Sequence, residues 1–239
     1  MTMRPVRDLS HSVHDRLLNR ARETARPFQE LLTYFVMERF IYRLSASAHA
    51  DRFVLKGALL FLAWRVPHGR PTRDADFLGR GDSSVEGLVQ AVQEICELTV
   101  ESDGLTFDRS SVVGSRIREG EEYEGVHIRF TARLGQARVM MRLDVGFGDV
   151  VVPAPELLEL PAMLLDFPPP RLRGYTRESV VAEKLEAMVS LGAINTRYKD
   201  FYDIWFLAER FDFDGRVLAR AVAATFERRG TPLGTIPVS

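Results

Sequence analysis

Cysteine is all but missing from this chain. Cys96 stands alone among 239 residues, which excludes an internal disulfide framework and a cysteine-based zinc site. It lies in the apolar-periodic stretch Val89 to Val100 and reads as a small core residue. Long apolar runs are missing as well. No stretch approaches the roughly 18–20 apolar residues of a membrane span, and the polar N-terminus has no signal-peptide core, so a cytoplasmic protein without a membrane partner is expected. Charge of one sign is also lacking. The net charge of −1 advertises no general affinity for nucleic acid, and any phosphate-binding surface has to be local, built from clustered arginines. The scarcest cation is lysine: Lys56, Lys184 and Lys199 are the only ones among 32 lysines and arginines. Lysine is a compact point charge on a flexible stem and arginine a rigid planar fork. Each retained lysine therefore marks a run worth reading: Leu55-Lys56-Gly57, Ala182-Glu183-Lys184-Leu185 and Arg197-Tyr198-Lys199-Asp200.

What remains is ordinary globular composition, long enough to bury a proper core. Helical spacing predicts helices over Ser10–Arg26 and Phe28–Leu44, separated by Pro27. Phe53 to Trp64 is apolar nearly all round and reads as a short buried helix. A turn at 67–71, a strand at Asp74–Leu78, a turn at 79–82 and a helix over Val85–Leu98 follow. From Thr106 onward the pattern becomes short and β-branched, with antiparallel strands at Val112–Ile117, Val126–Ala132 and Ala137–Val145. Prolines punctuate a connector from 153 to 170, and helices are expected over Arg177–Leu191, Lys199–Glu209 and Gly215–Arg228. There is no internal repeat and no low-complexity segment. The expected class is α+β, with N-terminal helices, a small mixed sheet and C-terminal helices, rather than strict βαβ alternation. The expected division is residues 1–170 as core and 171–239 as a helical lobe.

Asp74-Ala75-Asp76 is the leading chemical candidate. Residues i and i+2 on a strand project to one face, so both carboxylates can converge on a cation. A hard cation such as Mg²⁺ takes oxygen ligands, commonly one or two carboxylates plus substrate phosphates. Asp212-Phe213-Asp214 has the same spacing but sits between two helices, where a solvated acid or a helix N-cap is expected. Asp144 interrupts the apolar strand Val139–Val145. It reads either as a third metal or catalytic carboxylate or as an acid paired with an arginine such as Arg142.

Four runs make the pattern more specific. Phe53-Val54-Leu55-Lys56-Gly57-Ala58-Leu59-Leu60, Arg70-Pro71-Thr72-Arg73-Asp74-Ala75-Asp76-Phe77, Val181-Ala182-Glu183-Lys184-Leu185-Glu186-Ala187 and Asn195-Thr196-Arg197-Tyr198-Lys199-Asp200-Phe201-Tyr202-Asp203-Ile204 resemble, in this order, the AbiEii/AbiGii toxin family, which includes the mycobacterial MenT toxins. The resemblance extends from about Val13 to Phe226. It implies a polymerase-β-like nucleotidyltransferase core and the toxin of a type IV-like toxin–antitoxin system with a cognate antitoxin. It further implies an enzyme that uses Mg²⁺ and a nucleoside triphosphate and, as in MenT members, adds nucleotides to the tRNA 3′ end. Carried over, Asp74 and Asp76 hold metal, Asp144 completes the carboxylate set, Lys184 meets the triphosphate and Asp200 is the further essential acid, with Asp203 competing for that role. Lys56, Gly57, Ala58 and Arg73 would bind the nucleotide. Thr72 matches a residue that antitoxin kinases phosphorylate in some MenT toxins, although a threonine closing a turn explains it equally well. One departure is Gly57-Ala58, where the family usually has Gly-Gly or Gly-Ser.

Arg65, Arg70, Arg73 and Arg80, with Arg171, Arg173, Arg177 and Arg197, are expected to rim a cleft for RNA phosphates. Trp64, Tyr175 and Tyr198 are available to stack a single-stranded 3′ end. Competing readings are a nucleotidyltransferase that modifies a small molecule, one that AMPylates a protein, and a catalytically silent binding module.

Overall fold

The computed structural model describes residues 9–66, 72–119, 123–192 and 198–234. The elements run α1 (Leu9–Thr24), α2 (Phe28–Ala46), a 3₁₀ turn (Ala50–Arg52), β1 (Phe53–Lys56), α3 (Leu59–Ala63), β2 (Ala75–Gly79), α4 (Val85–Glu97), β3 (Leu105–Glu119), β4 (Tyr123–Leu134), β5 (Ala137–Phe147), β6 (Glu156–Glu159), β7 (Arg171–Gly174), α5 (Arg177–Leu191), α6 (Tyr198–Ala208) and α7 (Gly215–Arg228). The class is α+β, as expected. The strands form one sheet in the order β3-β4-β5-β2-β1-β7-β6, in which β2 pairs parallel with β5 and antiparallel with β1. The chain divides into two compact units, Met1–Phe147 with Leu157–Leu172, and Gly148–Glu156 with Arg173–Ser239.

In the first unit, strand alternation separates a core face from an open one. Along β5, Val139, Met141, Leu143 and Val145 are buried while Arg138, Met140 and Arg142 between them are exposed. The helices cover the buried face: Phe40 of α2 lies 5.8 Å from Phe107 and 4.8 Å from Phe130, ring centre to ring centre. Val85 and Val89 of α4 close over Gly114, where a Cβ would meet both. This apolar layer is pinned by a polar knot. Asp103, 1% exposed, accepts from Arg43 at 2.6 and 3.0 Å and from Arg39 at 3.2 Å. Burial alone would push the Asp103 carboxyl up, but the two arginines hold it below the usual carboxylate range.

Two expectations need correction. Phe53–Trp64 is not one helix. Phe53, Val54 and Leu55 are buried in a strand paired with β2, and Gly57 turns the chain with φ +72° before a five-residue helix. A segment buried on both faces is apolar all round in either conformation, so periodicity could not separate strand from helix. The proline-rich connector also contains a short strand, β6, and a second, β7, follows directly after it where the helical lobe was expected to begin.

Glu38 supplies a pH-dependent term in this unit. Burial pushes its carboxyl up to about 7, against the lowering by the Met163 N–H that it accepts at 2.6 Å and by Arg39. A raised acid holds its proton more tightly when folded, so stability is fullest below the unfolded value of 4.5 and declines as pH rises to about 7. Glu38→Gln removes the penalty. In denaturant titrations it is expected to stabilise the protein at pH 8 by up to about 3 kcal/mol and to change little at pH 4. A gain that is the same at both pH values contradicts this.

Candidate active site

The acidic strand sits mid-sheet. Asp76 is in register with Lys56 of β1 on one side and with Asp144 of β5 on the other, and Asp144 is in register with His127 of β4. Residues opposite one another on neighbouring strands share a face. Lys56, Asp76, Asp144 and His127 therefore form a row across four strands, each of them half-buried. Asp74 lies just before β2, two residues from Asp76.

Gly57 makes room for this row. A Cβ there would overlap the Asp76 carboxylate, and the positive φ disfavours any side chain. The ammonium of Lys56 lies over Gly146, 3.6 Å from where a Cβ at that glycine would stand. Gly57→Ala is therefore expected to displace Asp76 and to cost about 1–2 kcal/mol of stability through backbone strain alone. Transfer activity should fall much further than that loss of stability explains. Denaturant midpoint and turnover measured on one preparation check this, and unchanged turnover contradicts it.

Asp144 differs from the arginine-paired alternative read from the sequence. It is not enclosed among apolar neighbours, because its side chain is 35% exposed on the open face. Its partner is not Arg142 but His127, whose Nδ1 hydrogen-bonds the Asp144 carboxylate. Sequence reasoning passed over His127 altogether. The only signal was its place in the polar half of the alternation His127, Arg129, Thr131, Arg133, and register could not be read from the sequence.

The fit of a divalent cation can be judged from the carboxylates. Asp74 Oδ1 is buried and accepts no hydrogen bond, which is costly unless something else supplies positive charge. Among the described residues no three His, Cys, Asp or Glu side chains are gathered into a ready-made cage. Mg²⁺ does not require one, since it commonly takes one or two carboxylates and completes its shell with water and substrate phosphates. The donor set of Asp74 and Asp76, with Asp144 alongside, fits a cation shared with a triphosphate. Arg73 and Arg80 flank β2 with exposed side chains, and Arg65 lies 3.7 Å from Glu159. Arg70 lies outside the described residues.

Thr72 closes the entry to β2. Its N–H donates to the Tyr34 hydroxyl at 2.9 Å and its own hydroxyl donates to the Asp74 carbonyl at 3.0 Å.

The second unit holds its own charged cluster. Thr176 caps α5, accepting from the Ser179 N–H. From that helix the Lys184 ammonium donates to Asp200 at 2.7 Å and meets Asp203 at 2.8 Å. Both acids lie on α6 three residues apart and both are 1% exposed. Asp200 and Asp203 thus hold the same lysine. The neighbouring face of α5 carries Glu183 and Glu186, which Arg229 meets at 3.3 and 2.7 Å while also meeting Asp149 at 3.0 Å.

Other expectations divide. Tyr175 is fully buried, its hydroxyl donating to Glu183 at 3.0 Å, so it is not available to stack a base. Tyr198 is 78% exposed and Trp64 half-buried. Arg171 pairs with Glu159 and Arg177 lies 4.0 Å over the Phe211 ring, while Arg173 and Lys199 are exposed. Arg197 lies outside the described residues. Asp212 is exposed, and Asp214 caps α7 by accepting from the N–H groups of Arg216 and Val217. Cys96 is free and buried, as expected. Among the described residues no helix is long and apolar enough to cross a membrane.

An acidic pair at a strand start, with a third carboxylate on the adjacent parallel strand, is an arrangement suited to nucleotidyl transfer. The family comparison agrees: residues 39–239 match the family described as "Nucleotidyl transferase AbiEii toxin, Type IV TA system", and the chain belongs to that family. It is accordingly a nucleotidyltransferase of the toxin half of a type IV toxin–antitoxin system. Among solved structures, JHP933 from Helicobacter pylori is similar over 83% of this chain and 79% of its own, with 17% identity and a TM-score of 0.50. A candidate nucleotidyltransferase of H. pylori is similar over 87% and 85%, with 16% identity and a TM-score of 0.46. No curated protein matches the chain in sequence.

Proposed function

We propose that this enzyme transfers a nucleotide from a nucleoside triphosphate to RNA, at the tRNA 3′ end, with Mg²⁺, and thereby blocks translation until a cognate antitoxin restrains it. The observation that carries the reading is the register row Lys56–Asp76–Asp144 beside Asp74, whose Oδ1 is buried without a hydrogen-bond partner. In this reading Asp74 and Asp76 hold the cation, with Asp144 completing the set. The bound cation supplies charge neutralisation at the triphosphate and at the leaving pyrophosphate. Lys56, Gly57, Ala58 and Arg73 serve the triphosphate, and Lys184, held by Asp200 and Asp203, is the catalytic cation of the second unit. His127 is a positioning residue that fixes the Asp144 carboxylate.

The reaction joins the terminal 3′-oxygen of the RNA to the α-phosphorus. The bond to the β-phosphate breaks, pyrophosphate leaves, and the hydroxyl proton passes to the carboxylate row. Phosphorylation at Thr72 is the proposed means of restraint. It would remove the hydroxyl that Asp74 now accepts and set about −1.5 to −2 charges beside the carboxylates, where an incoming triphosphate would be repelled.

The experiment presents α-labelled ATP, CTP, GTP and UTP in turn, with Mg²⁺, to total tRNA, to cell protein and to a panel of aminoglycosides. Label on the tRNA 3′ end is expected. Label on protein or on a small molecule instead would establish a different acceptor and overturn the RNA reading.

A further inference from the structure

The first unit contains a cavity of about 170 Å³ that the acidic row does not use. An engineered apolar cavity of about 150 Å³ accepts benzene, so this space suits one aromatic or branched aliphatic group. Its walls are apolar: Leu31, Met37 and Ile41 from α2, Leu59 and Leu62 from α3, and Leu160. Five polar side chains interrupt them, Thr24 and Arg26 at the edge and three that matter more. Glu38, 6% exposed, faces the cavity from α2. Arg20 of α1 stands exposed at its edge, close enough for Glu38 to feel its charge, and it makes no ion pair among the described residues. Tyr34 lines the wall with its hydroxyl bound to the Thr72 N–H, two residues before Asp74.

A buried carboxyl beside an exposed guanidinium at an apolar cavity is an uncommon set. A simple cation would be repelled by Arg20 and by its neighbour Arg26, and a simple anion by Glu38. A small zwitterion with an apolar side chain satisfies both ends at once. Glu38 also has capacity to spare: one oxygen accepts from the Met163 N–H at 2.6 Å, and Arg39 reaches the other only at 3.5 Å.

We propose that this cavity binds a free apolar α-amino acid, with its ammonium against Glu38, its carboxylate against Arg20 and its side chain among Leu31, Met37, Ile41, Leu59 and Leu62, and that Tyr34 carries occupancy to the strand bearing Asp74 and Asp76. For an enzyme that acts on translation, such a site would couple output to amino-acid supply. The inference stands apart from the choice of RNA as acceptor.

The test uses the full chain without nucleotide. Leucine, methionine and phenylalanine are titrated by calorimetry and by thermal shift. Isocaproate lacks the amine, isoamylamine lacks the acid, and glutamate and lysine carry charged side chains. At least one apolar amino acid is expected to bind with a Kd in the range of roughly 10 µM to 1 mM; isocaproate and isoamylamine should bind about tenfold or more weakly, since each loses a charge-assisted contact, and glutamate and lysine weakly too, since each would bring a charge among apolar walls. Glu38→Gln and Arg20→Ala should each weaken binding about tenfold while the helical circular dichroism is retained. Ile41→Trp, which fills the space, should abolish it. Amide hydrogen exchange at Thr72 should slow in the presence of ligand. No binding by any of the three overturns the proposal. So does equal binding of the analogues, which marks a plain apolar void, or binding indifferent to both polar variants. Binding that leaves the Thr72 amide unchanged overturns the link to the acidic strand.

Discussion

Replacing Lys184 by methionine is expected to destabilise the protein by about 3–5 kcal/mol, the largest stability effect of any single change considered. The reason lies in burial rather than in the contact itself. Asp200 and Asp203 are each 1% exposed and sit three residues apart on one helix, with the ammonium 2.7 and 2.8 Å from them. Removing the cation leaves two carboxylates out of water and next to one another, and each would have to take up a proton or drag in solvent. Denaturant titration of Lys184→Met at neutral pH reads the loss. Adding Asp200→Asn and Asp203→Asn should restore much of the stability, because no uncompensated charge then remains. A loss below about 1 kcal/mol would show that water already reaches the cluster.

The second large effect is on catalysis. Asp76→Asn preserves shape and, in its middle position on the sheet, leaves the hydrogen-bonded ladder with β1 and β5 intact. It removes the charge that would draw a cation and a triphosphate to the row. Nucleotide transfer should fall by about 10³-fold or more, roughly 4 kcal/mol of barrier, while the unfolding midpoint shifts by less than about 1 kcal/mol. The neighbouring changes rank below it. Asp144→Asn leaves His127 a neutral partner, and Lys56→Met removes one of several cations. A stable Asp76→Asn protein with undiminished turnover would falsify the role given to this row.

Why part of this was legible in the sequence and part was not follows from particular residues. Asp74-Ala75-Asp76 could be placed at a strand start because turn residues precede it and Phe77 and Leu78 follow, a short-range pattern. Asp144 could be picked out as a carboxylate in an otherwise apolar strand, but not its partner. That partner is fixed by the register of β4 against β5, which depends on the whole ladder from Leu134↔Ala137 to Gly125↔Gly146. A shift of one residue would have put His127 on the core face. Lys184 had no acid at helical spacing, and its two acids come from another helix, beyond the reach of an i,i+4 rule. The Phe53–Trp64 segment failed for a different reason: burial on both sides erases the period that separates strand from helix, and only the conformation of Gly57 reveals the break. Tyr175 is a related case, since a tyrosine reads as a stacking platform or as a core residue from the same letters.

In the proposed reaction the carboxylate row transfers a nucleotide to RNA. Its most direct measurement is the label incorporated from each α-labelled nucleoside triphosphate into the tRNA 3′ end in Mg²⁺, by wild type and by Asp76→Asn side by side. Incorporation by wild type at the terminal 3′-hydroxyl, lost on chelation and reduced about 10³-fold by the substitution, is the predicted result. Incorporation that is absent from RNA with every nucleotide, or equal in the two proteins, contradicts it.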